Sequence, residues 1–261
     1  MVIFSMSQPS GGKNRFVIVC TARTGSNLLV RSLNRPPRTR CFGEVAKASF
    51  ASEADAFAQF ERLSGRGATE LAAMQIEDVG SFIYDVIFEL SGDTVGFKIF
   101  YEHCREPGRA GIWDRLVADA GLRVIHLTRN ATFDTYLSLL YAQRTDQWFI
   151  RRDHADSPPN DLDDIDVDLE HCRSFLQSYL DKRRKASALF GGHTYMEIDY
   201  SALETDLAGA LAEIRHFIGA PTPKEDPVPL RKQAARPAHE KVRNYFEVVE
   251  TLRGAGLADL L

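Results

Sequence analysis

Five apolar residues, Phe16-Val17-Ile18-Val19-Cys20, run straight into the loop Thr21-Ala22-Arg23-Thr24-Gly25-Ser26-Asn27. Leu28, Leu29 and Leu33 then follow at helical spacing. The apolar run is short, continuous and rich in β-branched residues, so it reads as a strand buried on both faces. A strand, a Gly/Ser/Thr loop and a helix in this order present unpaired backbone N–H groups at a helix N-terminus, where an anion is stabilised. Gly25 allows close approach of the backbone, Thr24, Ser26 and Asn27 can add side-chain donors, and Arg23 adds a fixed charge with a two-pronged fork. The plainer alternative is a helix capped by Thr24 or Ser26. The loop is not G-x-x-x-x-G-K-[ST], so an anion held there would lack the lysine and hydroxyl pair that usually accompany Mg²⁺.

The rest of the chain repeats the rhythm. Strands are expected at Thr94–Phe100, Arg123–Leu127 and Thr194–Ile198. Helical stretches are expected over Ala51–Leu90 with a break at Gly65 and Gly67, near Ile112–Ala120, over Ala131–Arg144, and over Asp206–Ile218 up to Gly219 and Pro221. Alternating strands and helices predict an α/β fold: a three-layer, P-loop-like arrangement with a central, mainly parallel sheet flanked by helices. A chain of 261 residues with 44% hydrophobic residues suits a single domain with a real core. Residues 1–14 are expected to be disordered, 15–261 to form the domain, and the acidic segment near 145–168 to be a loop or lid. An extended linker is expected at the prolines of 221–229.

Charge narrows the function. The net charge of −4 argues against nucleic acid as a partner. Yet Lys13, Arg15, Arg23, Arg31, Arg35, Arg38 and Arg40 occur with no acidic residue among them, and a second basic cluster follows the prolines at Arg231, Lys232, Arg236, Lys241 and Arg243. No apolar run is long enough for a membrane span and no signal peptide is evident. Cys20, Cys41, Cys104 and Cys172 are scattered, which fits a reducing compartment such as the cytoplasm. Arg129 stands at the end of an expected strand, where ligands bind in open α/β sheets, and Ser138 lies along the next helix. Together they can grip a second phosphate; the plainer alternative is a surface arginine and a serine that caps the helix or bonds back to its own backbone. His126 lies inside a strand and reads as a core residue. His103 follows a strand and can line a pocket.

Several segments together resemble the PAPS-dependent sulfotransferases, where PAPS is 3′-phosphoadenosine 5′-phosphosulfate. They are T-A-R-T-G-S-N-L-L, G-F-K-I-F, L-T-R-N-A-T-F-D-T-Y-L-S-L-L-Y, M-E-I-D-Y-S-A-L-E, F-I-G-A and R-K-Q-A-A-R-P-A-H-E-K-V-R-N-Y, spread over residues 15–250. The look is nearest to the bacterial carbohydrate sulfotransferases that act on Nod factors and trehalose. That resemblance implies transfer of a sulfuryl group from PAPS to a hydroxyl of a carbohydrate, glycolipid or small metabolite, leaving PAP, without a metal. A homodimer is compatible with it. It implies that Arg23, Thr24, Gly25, Ser26 and Asn27 surround the 5′-phosphosulfate and that Arg129 and Ser138 bind the 3′-phosphate. Lys98 would contact the sulfuryl group, Tyr200 would lie beside the adenine, and Arg231 and Lys232 would fold over the cofactor. Cytosolic relatives carry a histidine two residues after the strand lysine, but Phe100 stands there. Cys41-Phe42-Gly43-Glu44 resembles the G-E segment of the bacterial group, which makes Glu44 the expected base. The D-x-D pairs of Asp161–Glu170 raise a competing possibility, a metal-dependent nucleotide-sugar glycosyltransferase. A nucleotide-binding protein without turnover is the other.

Overall fold

A computed structural model of the chain describes residues 12–34, 38–53, 55–106, 108–146, 150–151, 164–223, 230–231 and 237–261. The strands are β1 (Asn14–Cys20), β2 (Thr39–Phe42), β3 (Thr94–Phe100), β4 (Arg123–Thr128), β5 (Ile150–Arg151), β6 (Thr194–Asp199) and β7 (Leu230–Arg231). The helices of the first half are α1 (Ser26–Leu33), α2 (Ala58–Ser64), α3 (Ala68–Glu77), α4 (Val79–Ser81) and α5 (Gly111–Ala118). α4 runs on into a π-helical segment, Phe82–Ile87. The second half holds α6 (Thr132–Thr145), α7 (Leu169–Leu189), α8 (Tyr200–Thr205), α9 (Leu207–Ile218), α10 (Ala238–Lys241) and α11 (Tyr245–Gly254).

Five strands form one sheet in the order β2-β3-β1-β4-β6, and every pairing in it is parallel. Alternate residues of each strand serve opposite faces. Val17, Val19, Val95, Phe97, Ile99 and Val124 enter the cluster that packs α5 and the 50–90 segment. Phe16, Ile18, Cys20, Phe100, Ile125 and Leu127 enter the cluster that packs α1 and α9. Both faces are covered, so the strands read as unbroken apolar runs. Gly96 is needed for the register. A Cβ there would stand 2.5 Å from the Phe16 carbonyl oxygen and 2.6 Å from its ring.

The expected α/β architecture is therefore present, with differences of detail. β1 starts at Asn14, two residues before the apolar run, and Lys13 donates to the Glu89 carbonyl at 2.7 Å. Gly65 ends α2 in the left-handed region at φ 73°. β2, α7 and α11 add elements that the apolar pattern does not announce. The end of the expected lid is fixed. The Ile165 N–H donates to the Lys241 carbonyl at 2.8 Å, and Ile165 and Val167 are buried against α6, α7 and α11. Asp168 caps α7 by accepting from the His171 N–H at 2.9 Å. The expected disorder of residues 1–11, residues 147–149 and 152–163 of the lid, and most of the proline linker lie outside the described residues. All four cysteines are free and buried. Among the described residues no helix is long and apolar enough to cross a membrane.

Candidate active site

The chain leaves β1 onto the α1/α9 face, while the connection after its neighbour β3 leads to α5 on the other face, and the connection after β4 runs through α6 before α7 packs on that same face. A crevice opens at the strand C-terminal ends where connections diverge in this way. The β1–α1 loop lies there. Arg23 adopts φ 66° and Gly25 φ 79°, both in the left-handed region. A left-handed arginine is uncommon, and such strain concentrates at functional sites. Gly25 is the N-cap of α1, no side chain caps the helix, and its first turn holds no acidic residue. The plain capping alternative for Thr24 or Ser26 is thus not what forms. Thr24 is fully buried, and its hydroxyl donates to the Thr21 carbonyl at 2.9 Å, so it braces the loop instead of adding an outward donor.

Arg23 joins the loop to α6. Its Nε donates to Ser138 Oγ at 2.9 Å, and its carbonyl accepts from Arg129 Nη1 at 3.2 Å. Burial, followed by the charge of Arg129, lowers the Arg23 guanidinium to about 10, which leaves it protonated at neutral pH. Arg129 follows β4 directly. Asp134 holds its Nη2 at 3.2 Å, and its guanidinium lies 4.9 Å from the Tyr200 ring centre. That ring also crosses Gly25, where an added Cβ would come within 2.4 Å of it. Arg23, Gly25, Arg129, Ser138 and Tyr200 therefore meet in one place, although 177 positions separate the first from the last.

A second group meets beside it. Lys98 points from β3 to the α1 face and is 1% exposed. Its Nζ donates to Asn27 Oδ1 at 2.7 Å and Ser26 Oγ at 3.3 Å. It also pairs with Glu44 Oε1 at 2.9 Å. Glu44 lies two residues after β2, at the same sheet edge, and keeps 29% of its side chain exposed. Its pairing with Lys98 means that it does not stand alone on the surface. The Phe100 ring lies 4.9 Å from Lys98 Nζ. The opposite oxygen of Glu44 faces His103 Nε2 at 3.9 Å. The sequence offers His103 only as a pocket-lining residue, on the signal of its place just beyond the Lys98 strand.

Other expected residues fall elsewhere. His126 is a buried, bonded core residue, with Tyr101 OH at 2.6 Å from Nε2 and Tyr195 OH at 2.5 Å from Nδ1. Lys232 lies outside the described residues, and so do Asp161 and Asp163 of the D-x-D run. Arg231 is described only by its backbone, in β7, antiparallel to β5. Asp166 pairs with Arg243 at 3.3 Å. Among the described residues there is no group of three or more His, Cys, Asp or Glu side chains that could hold a metal.

No family model matches the chain. It is 27% identical over 246 residues to nodulation protein H of Rhizobium tropici, covering 93% of this chain and 91% of that protein. It is 25% identical over 234 residues to nodulation protein H of Rhizobium meliloti, covering 89% of each. Two solved structures align more loosely. A sulfotransferase from Alicyclobacillus acidocaldarius has 17% identity and a TM-score of 0.48, covering 96% of this chain and 94% of its own. A mouse sulfotransferase complexed with PAP has 12% identity and a TM-score of 0.45, covering 94% and 86%. The chain is thus similar to the nodulation H proteins along nearly its whole length, and the resemblance read from its motifs is borne out.

Proposed function

We propose that the protein transfers the sulfuryl group of PAPS to a hydroxyl acceptor, in line and without a metal, with a carbohydrate or glycolipid as the acceptor class. The observation that carries the reading is the meeting of Arg23, Lys98, Arg129 and Glu44 at one sheet edge, in two adjoining clusters. A donor with two separate anionic ends fits cations that reach the loop from its two sides, Arg129 from β4 and Lys98 from β3, with Arg23 between them. Arg129 and Ser138 suit the 3′-phosphate, with Tyr200 at the adenine. Arg23, Ser26, Asn27 and the uncapped N-terminus of α1 suit the phosphosulfate. Arg231 and Lys232 belong to the same proposal as a cover from the late basic segment.

Sulfuryl transfer resembles phosphoryl transfer in having a loose transition state with charge collecting on the leaving oxygen. Catalysis then consists of positioning and of fixed positive charge where that charge develops. Arg23 faces the departing phosphate, and Lys98 faces the sulfuryl oxygens. Glu44 takes the proton of the attacking hydroxyl. In the free protein Glu44 neutralises Lys98, and the sulfuryl group takes over that role on binding.

Calorimetry with PAP, ATP and a UDP-sugar, each in EDTA, tests the class. Selective binding of PAP is expected, while a metal requirement or a preference for the UDP-sugar would favour a glycosyltransferase. Glu44→Gln tests the base. Turnover should fall on the order of 10²–10⁴-fold while PAP affinity persists. Near-normal turnover in that variant would remove Glu44 from the role.

A further inference from the structure

We infer that His103 and Glu44 form a two-point cradle for the acceptor oxygen. The hydroxyl donates to Glu44 and accepts from His103 Nε2–H. This rests on the sulfotransferase reading and adds a second substrate-binding side chain to it.

The geometry fixes which nitrogen carries the hydrogen. The Phe100 N–H donates to His103 Nδ1 at 3.3 Å, so Nδ1 acts as an acceptor and the ring proton belongs on Nε2. The ring is held in that pose. It lies against Phe100 with centroids 4.8 Å apart, and the His103 carbonyl accepts from Trp113 Nε1 at 2.9 Å. Nε2 then faces Glu44 Oε2 across 3.9 Å, too far for a direct hydrogen bond. An oxygen about 2.8 Å from each atom bridges that gap at ordinary hydrogen-bond lengths.

Burial keeps the ring neutral. Burial lowers His103 to about 4, Glu44 and Glu106 oppose that, and Lys98 and Lys47 reinforce it. In this tautomer His103 has no free lone pair toward Glu44, so it cannot be the base. It can only donate. The step balances without a further reagent. The hydroxyl proton passes to Glu44, and an oxygen lone pair forms the new O–S bond. The S–O bond to the 5′-phosphate breaks, and its electron pair stays on the phosphate oxygen beside Arg23. Sulfur is neither oxidised nor reduced.

The test compares His103→Phe with His103→Gln, whose amide nitrogen can replace Nε2 as a donor. PAPS turnover is measured with a panel of neutral mono- and disaccharides, and with water as the acceptor in the sugar-free control. His103→Phe should lose roughly tenfold in kcat/KM for the acceptor, the cost of about one hydrogen bond. His103→Gln should recover most of it, and both should bind PAP like the wild type. Wild-type kcat/KM in His103→Phe would overturn the cradle, and so would equal loss in the two variants with PAP binding intact. Failure of the wild type to bind PAP would instead defeat the sulfotransferase reading, and calorimetry reports that separately.

Discussion

Gly25 shows what a single missing Cβ accomplishes in this molecule. Its φ of 79° suits glycine, and the Tyr200 ring occupies the space that a methyl group would need. Two penalties therefore fall on Gly25→Ala, a backbone one and a steric one. Together they should exceed the roughly 1 kcal/mol of an ordinary glycine replacement. The steric part displaces Tyr200, which Arg129 overlies. PAP affinity should therefore fall along with the melting temperature. The double variant Gly25→Ala/Tyr200→Ala should recover stability relative to Gly25→Ala, because the collision is gone while the backbone strain remains. Thermal unfolding of the three proteins measures this, and a double variant no more stable than Gly25→Ala would refute the steric account.

At the level of elements, Gly96 sets how closely β1 and β3 approach. Phe16 and Gly96 are register partners, and the Phe16 ring lies over the space where a Cβ would be. Gly96→Ala should cost about 1–3 kcal/mol as overpacking, read by urea unfolding, and should disturb Lys98 two residues on along the same face. An unchanged urea midpoint would show that the sheet adjusts freely. The same elements explain what was legible in the sequence. β1, β3 and β4 are buried on both faces, so their apolar runs stand out, and the expected β3 matches residue for residue. β2 has only Thr39-Arg40-Cys41-Phe42, too short to show a pattern. α7 was hidden because Asp181-Lys182-Arg183-Arg184-Lys185 dominates it, and its buried stripe is only Cys172, Leu176, Tyr179 and Ala186. The candidate site divides in the same way. The loop and the strand-end cations have local signatures, whereas the Glu44–His103 facing depends on β2 and β3 being neighbours, which no local pattern encodes.

Across the whole molecule, α7 ties two cores together. Cys172 and Leu176 pack with α6 and α11, while Tyr179, Ala186 and Phe190 just beyond the helix pack against the sheet. Glu197 on β6 is the polar counterpart of that tie. It pairs with Arg183 of α7 at 2.5 Å and lies 3.2 Å from His126 Nδ1 of β4. Tyr195 donates to it at 3.1 Å. The hydrogen bond from His126, with further help from Arg183, lowers the Glu197 carboxyl to about 2 against the opposing effect of burial. The folded value thus lies below the usual glutamate value of about 4.3. The ionised form is therefore favoured by folding, and its contribution is complete above the unfolded value and is lost as pH falls through the folded one. Glu197→Gln removes that contribution at every pH. The stability difference between wild type and variant should be largest above about pH 5 and shrink between about pH 4.3 and 2. Since a third of the side chain meets solvent, salt should reduce it as well. Urea unfolding at pH 7, 5, 4 and 3 reads the difference directly and cancels the acid response of the other carboxylates, which both proteins share. A gap that stays constant down to pH 3 would mean that Glu197 contributes through its shape and not its charge, and that α7 is held to the sheet by its apolar stripe alone.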